Sequence, residues 1–311
     1  MSTNIPLIVR LLASSVCVAG RAGKIVRDIM SKGELGIVEK GKDDYQTEAD
    51  RSAQRCIIAS LSKQYPKVNI IGEEDSLDTE AEVASDWIVV EKDKEVLSLK
   101  CPVNLKNVKE EDVVIWVDPL DGTSEYTQGF LDHVTVLIGI SVNEKPIAGV
   151  IHQPYYKTEM DGGKTLGRTI WGLQGVGVSG FTCCQPPESL IITTTRSHSN
   201  PVVENALQVM NATQILRVGG AGYKVLQLLE GKASIYVFAS SGCKKWDTCA
   251  PEAVLSAAGG KLTDICGNFY KYGVSELRPN KMGVLAAPNE ELHSYALNRI
   301  PEQLKTTLAN K

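Results

Sequence analysis

The chain has 311 residues, of which 43% are hydrophobic and 23% charged, a composition typical of globular proteins and a length of about two average domains. That length buries a sizeable core without disulfides or metals, and the composition excludes disordered and collagen-like chains. The formal net charge of −4 favours a small-molecule ligand over a nucleic-acid polymer.

Cysteine spacing and hydropathy indicate the compartment. The eight cysteines contain no C-x-x-C pair, which argues against a zinc site or a disulfide framework and favours a reducing compartment. No apolar stretch reaches the roughly 20 residues that span a bilayer. The apolar N-terminal segment is interrupted by Arg10 and has the spacing of an amphipathic helix. We therefore expect a cytoplasmic protein with no membrane association, and we predict no protein partner.

The first half of the chain predicts a layered α+β unit. Helices are predicted over residues 5–32, ending at Gly33, and over 51–64. Periodicity predicts strands over 36–40, 68–71, 113–117, 134–142 and 147–151, with a turn at 143–146. Residues 76–112 are irregular and dense in charge, which favours a solvated insertion; a substrate lid is the alternative.

From about residue 185 strands and helices alternate, which is typical of an α/β domain. Strands are predicted over 190–194, 214–218 and 233–238, and helices over 201–210, 223–230 and 248–258. With a boundary near 183–187, the chain divides into an α+β domain of residues 1–184 and an α/β domain of residues 185–311.

A pair of carboxylates lies where the most hydrophobic predicted strand ends. Asp118 and Asp121 are three residues apart, with a proline between them and a glycine directly after, so they can converge on one point. Such a pair is unfavourable unless a cation binds there. Together with Glu73 and Asp247, which also lie beside predicted strand ends or loops, they form an all-oxygen set that suits Mg²⁺. A single aspartate at a strand end usually forms only a turn or a helix cap, so the combination carries the prediction.

These acids belong to motifs that resemble a known family. Three segments, in this order along the chain, resemble the motifs of the inositol monophosphatase-like, lithium-sensitive Mg²⁺ phosphatases. They are Gly72–Glu74, Trp116–Thr123 and Trp246–Asp247. The resemblance implies an α/β fold of the family's type, a layered αβαβα sandwich with an α+β N-terminal part. The bisphosphate nucleotidase branch of the family has motifs similar to 193–199, 217–224 and 242–247.

The resemblance implies a metal site with two or three Mg²⁺ ions. Glu73, Asp118 and the backbone carbonyl of Leu120 would hold one ion, and Asp118, Asp121 and Asp247 would hold a second.

It also implies the groups that activate water and bind the substrate. Asp50 and Thr123 match the pair that polarises the attacking water, although Asp50 by itself is typical of a helix N-cap. The implied substrate-binding residues are Thr195, His198, Gly220 and Lys224. Arg196, which follows a predicted strand, is expected to face the nucleotide with its neighbours.

The implied activity is Mg²⁺-dependent removal of the 3′-phosphate from adenosine 3′,5′-bisphosphate, giving AMP and phosphate, and from 3′-phosphoadenylyl sulfate, by two-metal activation of water. One alternative is an inositol polyphosphate 1-phosphatase that acts on inositol 1,4-bisphosphate. Another is a non-catalytic protein that binds adenosine bisphosphates.

Overall fold

The computed structural model describes residues 5–41, 44–74, 85–158 and 165–310. The amphipathic helix α1 (Leu7–Lys32) ends at Gly33, whose φ of 76° closes it as the sequence predicts. Helix α2 (Glu48–Gln64) packs against α1, and both cover one face of a mixed six-stranded sheet. Its strands, in spatial order, are β3 (Asn69–Gly72), β4 (Val113–Asp121), β5 (Thr135–Val142), β6 (Lys145–Thr158), β7 (Thr165–Leu173) and β8 (Gly177–Ser179).

The second sheet has five strands. In spatial order they are β10 (Gln214–Val218), β9 (Ile191–Thr195), β11 (Ile235–Phe238), β13 (Val284–Ala287) and β12 (Lys261–Thr263). The first three are parallel, and the last two run antiparallel to their neighbours. The longer helices of this half are α5 (Pro201–Gln208), α6 (Ala221–Leu229), α7 (Lys245–Ala257), α8 (Glu290–Leu297) and α9 (Glu302–Ala309).

Helices α6 and α7 lie between the two sheets, while α5 and α8 cover the outer face of the second sheet. The layered αβαβα sandwich is therefore confirmed. Helix α7 follows residue 185 in the chain yet packs on β4 to β7 of the first sheet, so the proposed division at 184/185 separates it from its main packing surface. No helix in the described part of the chain is long and apolar enough to cross a membrane.

Most predicted elements occur, with shifted ends. The turn between β5 and β6 is confirmed, because Asn143 and Glu144 both have the positive φ of a tight hairpin turn. Helices α2 and α7 begin three residues earlier than predicted, at Glu48 and Lys245. Periodicity did not predict the strands β7, β12 and β13 or the helices α8 and α9. It also did not predict four short elements: α3 (Lys94–Leu97), α4 (Thr123–Thr127), β2 (Asp44–Gln46) and β8. Strand β1 covers Val38–Gly41 instead of the predicted 36–40.

The prediction of a solvated insertion at 76–112 holds in part for residues 85–112, whose side chains are mostly exposed or half-buried. Val89, Val96, Cys101 and Leu105 are buried in the same apolar core as α1, so these four side chains anchor the segment. None of residues 85–112 lines the pocket described below, which gives the lid alternative no support there. Residues 76–84 of that prediction lie outside the described residues.

Three glycines let α7 approach the first sheet closely. Gly139, Gly149 and Gly172 are direct cross-strand partners on β5, β6 and β7, and we call them the glycine ladder. A Cβ on Gly139 would lie 2.6 Å from the backbone nitrogen of Ala250, and one on Gly149 would lie 2.9 Å from the Cα of the same residue. One on Gly172 would lie 2.8 Å from the Cα of Val254. The helix backbone therefore rests directly on the sheet.

We expect Gly149→Ala to lower the free energy of unfolding by about 1–3 kcal/mol. The added methyl group would overlap backbone atoms of α7, which cannot move aside as a side chain can. Gly20→Ala is the matched control: Gly20 lies in α1, and a Cβ added there would have no atom within 4 Å. That change should stabilise the protein by about 0.5–1 kcal/mol through helix propensity. Denaturant unfolding measures both; similar effects of the two substitutions would contradict the close approach.

Candidate active site

The metal-site aspartates of β4 converge because the strand is irregular. Residues three apart in a regular strand point to opposite faces of the sheet. In β4 the pairing with β5 runs regularly to Asp118 opposite Leu137, then resumes at Asp121 opposite Thr135. The intervening irregularity resets the alternation. It brings both carboxylates into one pocket.

Asp247 completes a carboxylate cluster. One oxygen from each of Asp118, Asp121 and Asp247 lies within 4.8 Å of the others. Burial, together with the nearby Glu73, raises the pKa of Asp118 well above its ordinary value. Burial first and then Asp121 raise the pKa of Asp247 to about 6. Burial and then Asp247 raise the pKa of Glu73 to about 8.

These pKa shifts are those of buried acids whose charges neighbouring groups neutralise only in part. The donors are hard carboxylate oxygens, which suit a small divalent cation such as Mg²⁺ and not a soft metal. The residues present therefore fit the implied metal. Lys40, carried by the small hairpin of β1 and β2, lies 3.4 Å from Glu73 and 3.2 Å from Glu74 at the edge of the cluster.

Asp121 also binds the second half of the chain. Its oxygens accept hydrogen bonds from the backbone N–H groups of Ala221 at 2.7 Å and Gly222 at 2.8 Å. The hydroxyl of Thr135 donates to the same carboxylate at 2.6 Å. Asp121 thereby satisfies two orphan N–H groups at the start of α6, which joins the first sheet to the helix layer.

The predicted water-polarising pair is in contact. Thr123 Oγ1 lies 3.0 Å from both Asp50 Oδ1 and the carbonyl oxygen of Leu120. Asp50 is not the N-cap of α2: the N-cap is Thr47, whose N–H and hydroxyl donate to Asp50 Oδ2 at 2.7 and 2.5 Å. Burial raises the pKa of Asp50 to about 6, although the hydrogen bonds from Thr47 oppose that shift.

Asp247 occupies the corresponding position in α7. It is the third residue of the helix, and its Oδ2 accepts a hydrogen bond of 2.5 Å from the backbone N–H of Lys244. The predicted ligand Asp247 thus also stabilises the first turn of α7, which begins three residues earlier than predicted.

A pocket of about 310 Å³ opens over the cluster. Its wall from the second half contains all four predicted substrate-binding residues: Thr195, His198, Gly220 and Lys224. The ammonium group of Lys224 is buried, donates to the carbonyl of Gly220 at 2.9 Å and lies 5.6 Å from the ring centroid of Tyr236. Burial lowers the pKa of Lys224, and the nearby Asp121 opposes that shift.

Sequence reasoning missed one acid in this pocket and misplaced one base. Glu125, in the first turn of α4, is buried and lines the pocket; its place two residues after Thr123 is the signal that could have found it. Arg196 does not line the pocket with its neighbours Thr195 and Ser197. Its guanidinium group instead lies 3.2 Å from Glu125.

Comparison with known proteins agrees with this geometry. The model of the inositol monophosphatase family matches residues 10–305. Human 3′(2′),5′-bisphosphate nucleotidase 1 is 52% identical, with 99% of each chain covered. Inositol monophosphatase 3 of Xenopus tropicalis is 32% identical, with 95% of this chain and 81% of the relative covered.

Among solved structures, the extragenic suppressor protein suhB of Bartonella henselae superposes with a TM-score of 0.67 at 21% identity, with 93% of this chain and 97% of that chain covered. That similarity concerns the fold alone. The family match extends over nearly the whole chain and includes every acid of the carboxylate cluster. The chain belongs to the inositol monophosphatase family.

Proposed function

We propose that this phosphatase removes the 3′-phosphate from adenosine 3′,5′-bisphosphate, yielding AMP and phosphate, and that 3′-phosphoadenylyl sulfate is a second substrate. The observation that carries the proposal is one pocket in which the carboxylate cluster and Lys224 face the same space. The choice of a nucleotide is supported by three relatives at 50–52% identity that are named bisphosphate nucleotidases. A cytoplasmic location belongs to the same proposal and is supported by the eight free cysteines.

Each proposed metal ligand lies in the pocket. Glu73, Asp118 and the carbonyl of Leu120 would hold one Mg²⁺, and Asp118, Asp121 and Asp247 a second. The bound ions would lower the pKa of the attacking water and stabilise the negative charge on the leaving oxygen.

The proton of the attacking water is taken up by the chain itself. Thr123 Oγ1 accepts it and donates its own proton to Asp50 Oδ1 at 3.0 Å. Thr47 occupies Asp50 Oδ2 with two donors, which leaves Oδ1 directed at Thr123. A base with a pKa of about 6 is largely ionised at neutral pH and still basic enough to accept a proton.

The substrate's anionic groups meet backbone amides and one buried cation. Gly122, Thr123 and Ser124 line the pocket at the start of α4, where N–H groups point towards an anion. From the opposite wall Lys224 supplies a positive charge that its hydrogen bond to Gly220 fixes in place. We assign Thr195, His198, Gly220 and Lys224 to the nucleotide and the carboxylate cluster to the reacting phosphate.

We expect Lys224→Ala to raise KM for adenosine 3′,5′-bisphosphate about ten- to a hundredfold and to lower kcat less, because a charge-assisted contact made in ground and transition state is lost. Inositol 1,4-bisphosphate should be affected less. Lys232→Ala is the matched control, since its side chain is 55% exposed and pairs with Glu230. Steady-state kinetics of both variants with both substrates test this. Equal loss of kcat for both substrates at unchanged KM would mean that Lys224 acts on the reacting phosphate.

The proposed function is tested by a phosphate-release panel. Adenosine 3′,5′-bisphosphate, 3′-phosphoadenylyl sulfate and inositol 1,4-bisphosphate are compared at equal concentration, with Mg²⁺, with excess chelator and with Li⁺. We expect the two nucleotides to be hydrolysed fastest, with activity abolished by the chelator and inhibited by Li⁺. Faster release from inositol 1,4-bisphosphate would favour the inositol alternative. Binding of the nucleotide without any phosphate release at stoichiometric enzyme would favour a non-catalytic binding protein.

A further inference from the structure

An ion pair joins the two halves of the chain beside the pocket. Glu125 comes from α4 and Arg196 directly follows β9. The Nε and Nη2 atoms of Arg196 lie 3.3 and 3.2 Å from Glu125 Oε1. The glutamate side chain is only 3% exposed and that of the arginine 26%. The pair is therefore largely removed from solvent, where charge interactions are stronger than at a protein surface.

Both side chains make further close contacts. Arg196 also donates to Gln128 Oε1 at 2.8 Å, and its guanidinium carbon lies 4.2 Å from the ring centroid of Phe130. On the other side of the pair, a Cβ on Gly219 would overlap the carboxylate of Glu125. The Glu125 side chain thus occupies the space that a side chain at position 219 would need, and Arg196 pairs with it there.

The negative charge of Glu125 disfavours the binding of an anionic substrate in this pocket. The pocket it lines must accept phosphate esters, which carry negative charge, and like charges in such a site are costly. Glu125 is not one of the three acids whose oxygens converge within 4.8 Å, so a cation bound by that cluster is not its direct partner. Arg196 supplies a positive charge at ion-pair distance.

We propose that Arg196 is a positioning residue that fixes Glu125 in the pocket wall and compensates its charge, so that the pocket can bind an anionic substrate. The inference rests on the proposed phosphatase function for the identity of that substrate. It assigns Arg196 an indirect role: the guanidinium group acts through Glu125 and does not contact the substrate.

Four variants separate this role from direct contact and from a structural role. Arg196→Gln should raise KM for adenosine 3′,5′-bisphosphate about tenfold with a smaller change in kcat, because the buried Glu125 loses its ion-pair partner and keeps only the longer-range interaction with Lys224. Adding Glu125→Gln to Arg196→Gln should return KM close to the wild-type value. Glu125→Gln alone should leave KM unchanged or lower it. Arg217→Gln is the matched control, because Arg217 forms an exposed pair with Glu204 in the same half of the chain and does not line the pocket.

Three results would overturn the proposal. One is an unchanged KM in Arg196→Gln. Another is a double variant that keeps the raised KM of Arg196→Gln, since Arg196 would then act on the substrate or on the fold. The third is a raised KM in Glu125→Gln alone, which means that the carboxylate contacts the substrate; this variant decides the matter if Arg196→Gln does not fold.

Calorimetric titration with inorganic phosphate in the presence of Mg²⁺ measures the affinity of the wild type and the same variants for the anion, without turnover. The same order of affinities is expected, with only Arg196→Gln weakened, and a different order counts against the proposal. Failure of the wild type to hydrolyse adenosine 3′,5′-bisphosphate refutes the proposed function, whereas the phosphate titration tests the Arg196–Glu125 pair independently.

Discussion

Asp121→Asn is expected to lower kcat on the order of a hundredfold or more and to weaken Mg²⁺ binding, because it removes one of three converging carboxylates. Calorimetric titration with Mg²⁺ and steady-state kinetics measure the two effects. Asp132→Asn is a suitable control, since Asp132 is exposed near the site and outside the cluster. Normal Mg²⁺ binding and turnover in Asp121→Asn would remove this residue from the metal site.

The same substitution makes a second prediction about stability. The motif alone suggests that the metal-free protein gains stability, because one charge leaves a crowded acidic cluster. The structure predicts the opposite, since the carboxylate accepts hydrogen bonds from Ala221, Gly222 and Thr135. The asparagine NH₂ group would face one of these donors. Thermal and denaturant unfolding of the metal-free protein should show a loss of about 1–3 kcal/mol.

Thr123→Val is expected to lower kcat about 10²- to 10⁴-fold, the range for loss of a positioned proton-transfer group. Valine has nearly the same shape but no hydroxyl, so Asp50 Oδ1 loses its 3.0 Å contact with Thr123. Thr123→Ser keeps the hydroxyl and should retain most of the activity. Single-turnover phosphate release, which isolates the chemical step, distinguishes the two variants. Equal activity of the valine and serine variants would exclude Thr123 from proton transfer.

The parts of the fold that follow from local pattern could be predicted. The hairpin turn contains Asn143, a residue type that tolerates the positive φ found there, and α1 shows its periodicity over its whole length. Asp118 and Asp121 could be grouped because they are close in sequence and share a motif. Their convergence in space depends on the irregular pairing of β4 with β5, which no local pattern reveals.

Other features depend on contacts between distant segments. The charge density of residues 85–112 obscured their buried side chains, such as Val96 and Leu105, because each apolar anchor is isolated among polar neighbours. Arg196 could be placed after a strand, but its partner Glu125 lies 71 positions away in the chain. Periodicity within a segment carries no information about such a pairing.

The glycine ladder limits how this scaffold can be redesigned. Asp247 is carried by α7, and the height of that helix above the first sheet is set by backbone contacts at Gly139, Gly149 and Gly172. A side chain at any of these positions would lift the helix and move Asp247 away from the two aspartates of β4. An engineer who wishes to change the substrate can vary the wall that contains Thr195 and His198. The three glycines, which bear no functional group, must be held as constant as the carboxylates themselves.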